Sequence, residues 1–275
     1  MTYRELCRYG EAFLNESDIK DYKVDAWLLM EYVTGFDRTA YFMRADEAIE
    51  ENQKAKYLEL LRQRGKRIPL QHLTKEQEFM GLKFKVNSSV LIPRQDTETL
   101  VEEVLKEIKP GMQVLDLCTG SGCIIISILH NAPGAVGAAI DISKQALNVA
   151  KENARQNGVS VDFEQSDLFH NVVGTFDVIV SNPPYIPSAE VVKLMPEVGE
   201  FEPLEALDGK EDGLYFYREI IGSCRDYLKP EGRIFFEIGF DQAEAVSKML
   251  WENGFKEVRV IKDLARNDRV VTGML

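Results

Sequence analysis

The sequence predicts an α/β fold: a mainly parallel β-sheet with one antiparallel strand, preceded by a small helical domain and a β-hairpin. Three observations carry that expectation. After Pro93, short apolar runs alternate with helical segments of ten or more residues, the pattern of a parallel sheet covered on both faces. Before Arg64, apolar residues recur only at three- and four-residue spacings, with no strand-like alternation. The last two apolar runs are joined by a polar loop short enough for a hairpin, which adds an antiparallel strand at the end of the sheet.

In the first domain, Leu6, Phe13, Leu14, Ala26, Leu29, Met30 and Val33 keep the helical spacing, and a second amphipathic stretch runs from Asp46 to about Arg64. Gly65-Lys66-Arg67-Ile68-Pro69 breaks the period. Residues 1–66 are therefore expected as the helical domain, 67–93 as a linker and 94–275 as the second domain. Within the linker, Phe79, Leu82, Phe84 and Val86 alternate and lead through Asn87-Ser88-Ser89 into Val90, Leu91 and Ile92, which predicts a hairpin turning at 87–89. Further on, strands are expected over 113–118, 136–141, 161–165, 176–181 and 233–238. Helices are expected over 123–130, 143–157, 215–228 and 241–253, and two closing strands over 255–262 and 269–272.

Composition narrows the function. At about 150 residues per domain, 275 residues suggest two domains. Thirty-three basic and 45 acidic side chains give a net charge of −12 and a pI near 4.9. Residues 1–80 carry −2 and residues 81–275 carry −10. Such a chain is poorly suited to binding nucleic acid through its phosphates. The one basic cluster is Arg62, Arg64, Lys66 and Arg67. It reads as a solvated helix end complementing the helix dipole, with contact to an RNA-rich partner as the alternative. Cysteines at 7, 118, 123 and 224 and histidines at 72, 130 and 170 fit neither a disulfide framework nor a metal site. The first dozen residues are charged, so no signal peptide is expected, and the apolar run 123–129 is too short to span a bilayer. A cytoplasmic protein is the expectation.

Four segments carry chemistry. Asp116-Leu117-Cys118-Thr119-Gly120-Ser121-Gly122 ends the first parallel strand and opens a helix. Gly120 and Gly122 lack a Cβ, so the chain can turn sharply and let a ligand approach its backbone. Ligands of open α/β sheets bind beyond the carboxyl ends of the strands, where this loop falls; a tight turn with no ligand is the plainer alternative. A dinucleotide site needs a third glycine, and Ile125 stands in its place. Asp116 disfavours a diphosphate but suits an adenosyl ligand bearing a sulfonium and an amino group.

Asp141 ends the second strand at the same sheet edge. Its carboxylate can accept both hydroxyls of a ribose, or it caps the helix beginning near Ser143. In Ser166-Asp167-Leu168-Phe169, after the third strand, Asp167 would meet the adenine amino group and Leu168 or Phe169 its ring face. Taken alone, those four residues are equally a loop with a buried aromatic.

The fourth segment is Ser181-Asn182-Pro183-Pro184-Tyr185, directly after an apolar strand. Proline fixes its own φ and restricts the residue before it, so Asn182 is held extended. The Asn182 side-chain oxygen and the Pro183 carbonyl then form a rigid edge of two acceptors, with the Tyr185 ring beside them. That edge matches a planar –NH₂ group. A merely proline-stiffened loop is the alternative for such a triplet in isolation.

These residues resemble methyltransferases that alkylate amino groups conjugated to a π-system, either adenine in DNA or the glutamine side-chain amide. Leu91-Ile92-Pro93-Arg94-Gln95-Asp96-Thr97-Glu98-Thr99-Leu100 is similar to a segment of the peptide chain release factor N5-glutamine methyltransferases, the PrmC/HemK family. So are Glu202-Pro203-Leu204-Glu205-Ala206-Leu207-Asp208-Gly209 and the run from Lys262 through Asp263, Arg266 and Arg269 to Val271. The resemblance spans nearly the whole chain. It departs from the family pattern at Cys118, usually glycine, at Leu168, often aromatic, and at Gln95-Asp96 in place of Pro-Glu.

The resemblance implies a class I S-adenosylmethionine-dependent methyltransferase fold of seven strands. It implies S-adenosylmethionine as co-substrate, with S-adenosylhomocysteine as product, and no metal. Its acceptor would be the glutamine of the GGQ motif in class 1 release factors, methylated in support of translation termination. Donor contacts are expected from Cys118, Thr119, Gly120, Ser121, Gly122, Asp141, Asp167, Leu168 and Asn182. Asn182, Pro183, Pro184 and Tyr185 would bind the acceptor and carry catalysis, and the helical domain would recognise the protein substrate. No stable DNA binding is expected, because methylating adenine in a duplex needs base flipping and a positively charged cleft. A non-enzymatic binding module would leave the acceptor edge of Asn182 and Pro183 without a use.

Overall fold

The computed structural model describes all 275 residues, in two units: Met1–Lys75 with Met195–Phe201, and Glu76–Leu194 with Glu202–Leu275.

The first unit holds helices α1 (Tyr3–Glu16), α2 (Tyr22–Thr34), α3 (Arg38–Arg44), α4 (Glu51–Gly65) and α5 (Leu70–Thr74). A capping box starts α1: the Glu5 amide donates to Thr2 Oγ1 at 3.2 Å and the Thr2 amide to Glu5 Oε2 at 2.9 Å. Leu6, Leu14, Leu29, Met30, Tyr57 and Leu61 are buried in its core, each worth roughly 1.5–3 kcal/mol of burial. The unit continues past residue 66 into α5, which Pro69 precedes as its N-cap, accepting from the His72 amide at 3.0 Å; a missing N–H is no loss just before a helix.

The basic cluster is not a solvated helix end throughout. Arg64 is buried, with Nε donating to Asp25 Oδ2 at 2.7 Å and Nη1 to Glu197 Oε1 at 3.1 Å. Arg67 Nη2 lies 2.8 Å from Glu197 Oε2. Burying a guanidinium needs such partners, and they are what joins Met195–Phe201 to this unit.

The second unit opens with a hairpin of β1 (Glu76–Phe79) and β2 (Leu82–Lys85). Its turn is Met80-Gly81, with φ of 52° and 72°, the left-handed pair that matches strand twist in a two-residue hairpin. The turn expected at 87–89 is instead a local bend: the Ser89 amide donates to Asn87 Oδ1 at 2.8 Å, and no strand follows.

Next come α6 (Glu98–Glu107), β3 (Gln113–Leu117), α7 (Cys123–Asn131), β4 (Val136–Asp141), α8 (Lys144–Gln156), β5 (Asp162–Gln165) and β6 (Phe176–Ser181). Two short helices follow, α9 (Ser188–Val191) and, within the first unit, α10 (Pro196–Gly199). The chain ends with α11 (Tyr215–Ser223), β7 (Leu228–Glu237), α12 (Ala243–Glu252), β8 (Lys256–Lys262) and β9 (Asp268–Met274). Helix α11 stops at Ser223, and β7 starts earlier than the expected 233, pairing Leu228 with Phe176 across an irregularity.

The seven strands are ordered β5-β4-β3-β6-β7-β9-β8, and β9 alone runs against the rest. Alternation along the strands separates two cores, with Leu115, Leu117 and Ile179 on one face and Val114, Val178 and Val180 on the other. The chain builds outward from β3 to β5, then returns to place β6 on the other side of β3. That reversal opens a crevice beyond the carboxyl ends of β3 and β6, where open α/β sheets bind ligands. No helix is long and apolar enough to cross a membrane.

Candidate active site

A cavity of ≈ 340 Å³ lies at that crevice. Of the residues expected there, Cys118, Thr119, Gly120, Ser121, Asp141, Asp167, Leu168, Asn182 and Pro184 line it, and Gly122, Pro183 and Tyr185 do not.

The loop from β3 to α7 turns through three left-handed residues, Cys118, Gly120 and Gly122, at φ of 60°, 55° and 79°. A Cβ at Gly122 would lie 2.9 Å from Ile126 Cδ1 and 3.1 Å from Ala150 Cβ, so glycine is required on space as well as on conformation. Cys118 holds its conformation at a cost of about 1–2 kcal/mol for an L-residue. Burial raises the pKa of its thiol, and the charges of Asp141 and Asp116 add to the rise, so the sulfur stays protonated.

Asp141 ties this loop to β4. Its Oδ2 accepts from the Gly120 amide at 2.8 Å and its Oδ1 from the Ser143 amide at 2.9 Å. Helix α8 is capped by Ser143, whose Oγ accepts from the Ala146 amide at 3.2 Å, so the cap is not Asp141. Each carboxylate oxygen keeps further acceptor capacity for a ligand in the cavity. Burial raises the Asp141 pKa, and the two amides oppose the rise. Beneath the loop, Asp116 is fully buried and accepts from Thr119 Oγ1 at 2.6 Å; burial pushes its carboxyl up to about 7.

After β5, Leu168 lines the cavity while Phe169 turns into the core and stacks on Tyr227 at a centroid distance of 4.5 Å. Of the two side chains offered for the ring face, the structure therefore presents Leu168. Ser166 shapes this turn, its Oγ donating to the Leu168 carbonyl at 2.8 Å and accepting from the Asn171 amide at 2.9 Å.

Ser181 ends β6 fully buried, with Oγ donating to the Leu117 carbonyl at 2.8 Å. Asn182 follows, and its side-chain amide has no partner within the chain. Tyr185, expected beside the acceptor, instead packs against the core and aims its hydroxyl at Glu237 Oε1, 3.5 Å away. The 202–209 motif runs alongside: the Ile186 amide donates to the Leu207 carbonyl at 3.1 Å and the Gly209 amide to the Ile186 carbonyl at 2.8 Å. Buried Glu202 accepts from the Ile92 amide at 3.3 Å and pairs with Arg94.

Arg94, Thr97 and Glu205, which the sequence offered as parts of family-like segments with no site role, also line the cavity, as do Lys210 and Phe216, which it did not single out. Nor did it identify Glu237, which burial pushes up to about 7 against the opposing Thr97 hydrogen bond and Arg269 charge. Arg269 lies 3.1 Å from Asp263 Oδ2 and 3.3 Å from Asp96 Oδ2. The signal available was a lone acid inside an apolar strand, Ile234-Phe235-Phe236-Glu237-Ile238.

Residues 5–74 match the family model described as the PrmC N-terminal domain, and residues 94–197 match the methyltransferase small domain. A release factor glutamine methyltransferase of Geobacter sulfurreducens is 38% identical over 275 residues, covering 100% of this chain and 97% of that one. One from Clostridium acetobutylicum is 42% identical over 265 residues, covering 94% and 93%. Among solved structures, a methyltransferase from Pyrococcus furiosus matches 70% of this chain and 89% of its own with a TM-score of 0.53 and 19% identity, a likeness of fold.

Proposed function

We propose that this chain, which belongs to the release factor glutamine methyltransferase family, uses the cavity to methylate the side-chain amide nitrogen of a release factor glutamine, that of the GGQ motif in class 1 factors. S-adenosylmethionine is the proposed donor, and the lining residues fit it. The space beside Gly120 is open, Asp141 has acceptor capacity for ribose hydroxyls, and Asp167 and Leu168 suit an adenine. Arg94 and Lys210 are the cations lining the cavity, each set beside an acid of the 202–209 segment, Glu202 and Asp208. When bound, the donor supplies a methyl group made electrophilic by its sulfonium.

The harder half of the reaction is the acceptor, whose nitrogen lone pair is delocalised into its own carbonyl. In this reading the Asn182 side-chain oxygen accepts one amide N–H. The Pro183 carbonyl, engaged by no N–H of the chain, accepts the other. Two such bonds raise electron density on the nitrogen and fix its direction. An N–C bond forms as the C–S bond breaks, and one N–H proton leaves to water, the nitrogen being acidic only after transfer. Positioning then supplies most of the rate, as in well-oriented intramolecular reactions.

One observation carries the proposal: Asn182 and Pro184 line the same cavity as Gly120, Asp141 and Asp167. Asn182→Ala tests it. S-adenosylhomocysteine should still bind the variant, by calorimetry, while methyl transfer to release factor is nearly abolished. An unchanged kcat contradicts the role.

A further inference from the structure

The 181–185 segment behaves as a short rod, since two of its residues are prolines with fixed φ. A rod is placed by its ends. Its first end is Ser181, locked into the β3–β6 pair through the Leu117 carbonyl. The second end is the Tyr185 carbonyl, and it is held by a side chain from a different part of the chain. Gln242, just before α12 and buried, donates from Nε2 to the Tyr185 carbonyl at 2.9 Å and to the Gly213 carbonyl at 3.2 Å. Its Oε1 accepts from the Gly239 amide at 2.9 Å, so both ends of the side-chain amide are committed. The approach is close: a Cβ on Gly213 would lie 2.3 Å from the Tyr185 oxygen and 2.8 Å from Gln242 Nε2.

We infer that Gln242 is a positioning residue for the acceptor amide, fixing the far end of the segment that presents Asn182 to the cavity and carries the Pro183 carbonyl behind it. The inference rests on the function proposed above. Gln242 does not line the cavity, so it acts on the reaction through Tyr185. Removing its N–H donors releases the Tyr185 carbonyl and leaves that end to the backbone bonds of Ile186 with Leu207 and Gly209, one residue beyond the segment; the acceptor edge then shifts while the donor loop, hydrogen-bonded to β4, stays in place. Misplacing reacting groups by about 1 Å can cost on the order of 10²-fold in rate.

The test compares Gln242→Leu and Gln242→Met with the parent. Both remove the two donors at similar volume, and the unbranched methionine can follow the path of the glutamine side chain, so it serves where the leucine variant does not fold. Affinity for S-adenosylhomocysteine, by calorimetry, reports whether the donor site is intact. The expected result is donor affinity within twofold of the parent, a release factor KM within threefold, and kcat lowered on the order of 10²-fold. A kcat within threefold of the parent overturns the inference. So does a parallel loss of donor affinity and kcat, which would make Gln242 a general support of the site. Failure of the parent itself to methylate release factor would overturn the underlying function, and is separable because it needs no variant.

Discussion

The two sides of the cavity are built on opposite principles. Its donor side carries local cost: a cysteine in a left-handed conformation, and a fully buried carboxyl whose proton affinity has been raised. On its acceptor side, the segment is braced at both ends by buried polar groups, Ser181 on the Leu117 carbonyl and Gln242 on the Tyr185 carbonyl. In the function proposed above, the donor loop gives up stability to place backbone and carboxylate toward a ligand. The acceptor segment spends its buried hydrogen bonds on holding direction. Substitutions on the donor side should therefore change affinity or raise stability, and those on the acceptor side should change turnover.

The widest separation of the two sides comes from Asn182→Ala, with kcat expected to fall on the order of 10²–10³-fold, the range for removing one preorganised hydrogen-bonding group. Next is Asp116→Asn. The Asp116 carboxyl titrates near 7 when folded, against 3.8 for its ordinary value. The folded state therefore takes up a proton that the unfolded state has released, and it loses stability as pH rises from about 4 to about 7. The asparagine variant is free of that loss. Its stability relative to the parent should climb across this window and level off above it, by at most about 4 kcal/mol. Denaturant unfolding at pH 5 and pH 8 measures the climb; a difference independent of pH would remove the asymmetry.

Asp141→Asn should weaken donor binding about 10- to 100-fold, the worth of a charge-assisted hydrogen bond or two, with kcat at saturating donor little changed. A fall in kcat with donor affinity intact would place Asp141 on the acceptor side. The smallest effect is expected from Cys118→Gly, which relieves a left-handed cost of about 1–2 kcal/mol against about 0.5–1 kcal/mol of chain entropy that glycine adds, a net gain that raises Tm by about 2–4 °C. A lowered Tm would mean that the packing of the half-buried thiol outweighs the strain.

Much of this was legible in the chain, and what was not has physical causes. Strands β4 and β6 begin and end where their apolar runs do, because parallel strands buried on both faces have no alternation to blur their ends. The four segments read as chemistry fall at the carboxyl ends of β3, β4, β5 and β6 for the same reason. The hairpin turn lies where the step from Phe79 to Leu82 lengthens to three residues and breaks the two-residue period; the polar run Asn87-Ser88-Ser89 is the stronger turn signal in sequence, and nothing in a methionine announces a positive φ. Arg64 and Glu197 are 133 positions apart, so no local period links Met195–Phe201 to the helical unit. Gln242 escaped notice likewise: its role lies in a carbonyl 57 positions away. Tyr185 reads from its motif as an acceptor contact, while its ring packs partly buried against the core with its hydroxyl toward Glu237.

The central claim is that one cavity joins an adenosyl donor to a glutamine amide. Its most direct test is mass spectrometry of a class 1 release factor incubated with this protein and S-adenosylmethionine. One added methyl group, mapped by fragmentation to the GGQ glutamine, is the predicted result. An unmodified glutamine, with the methyl found instead on adenine of duplex DNA supplied in the same reaction, would contradict it.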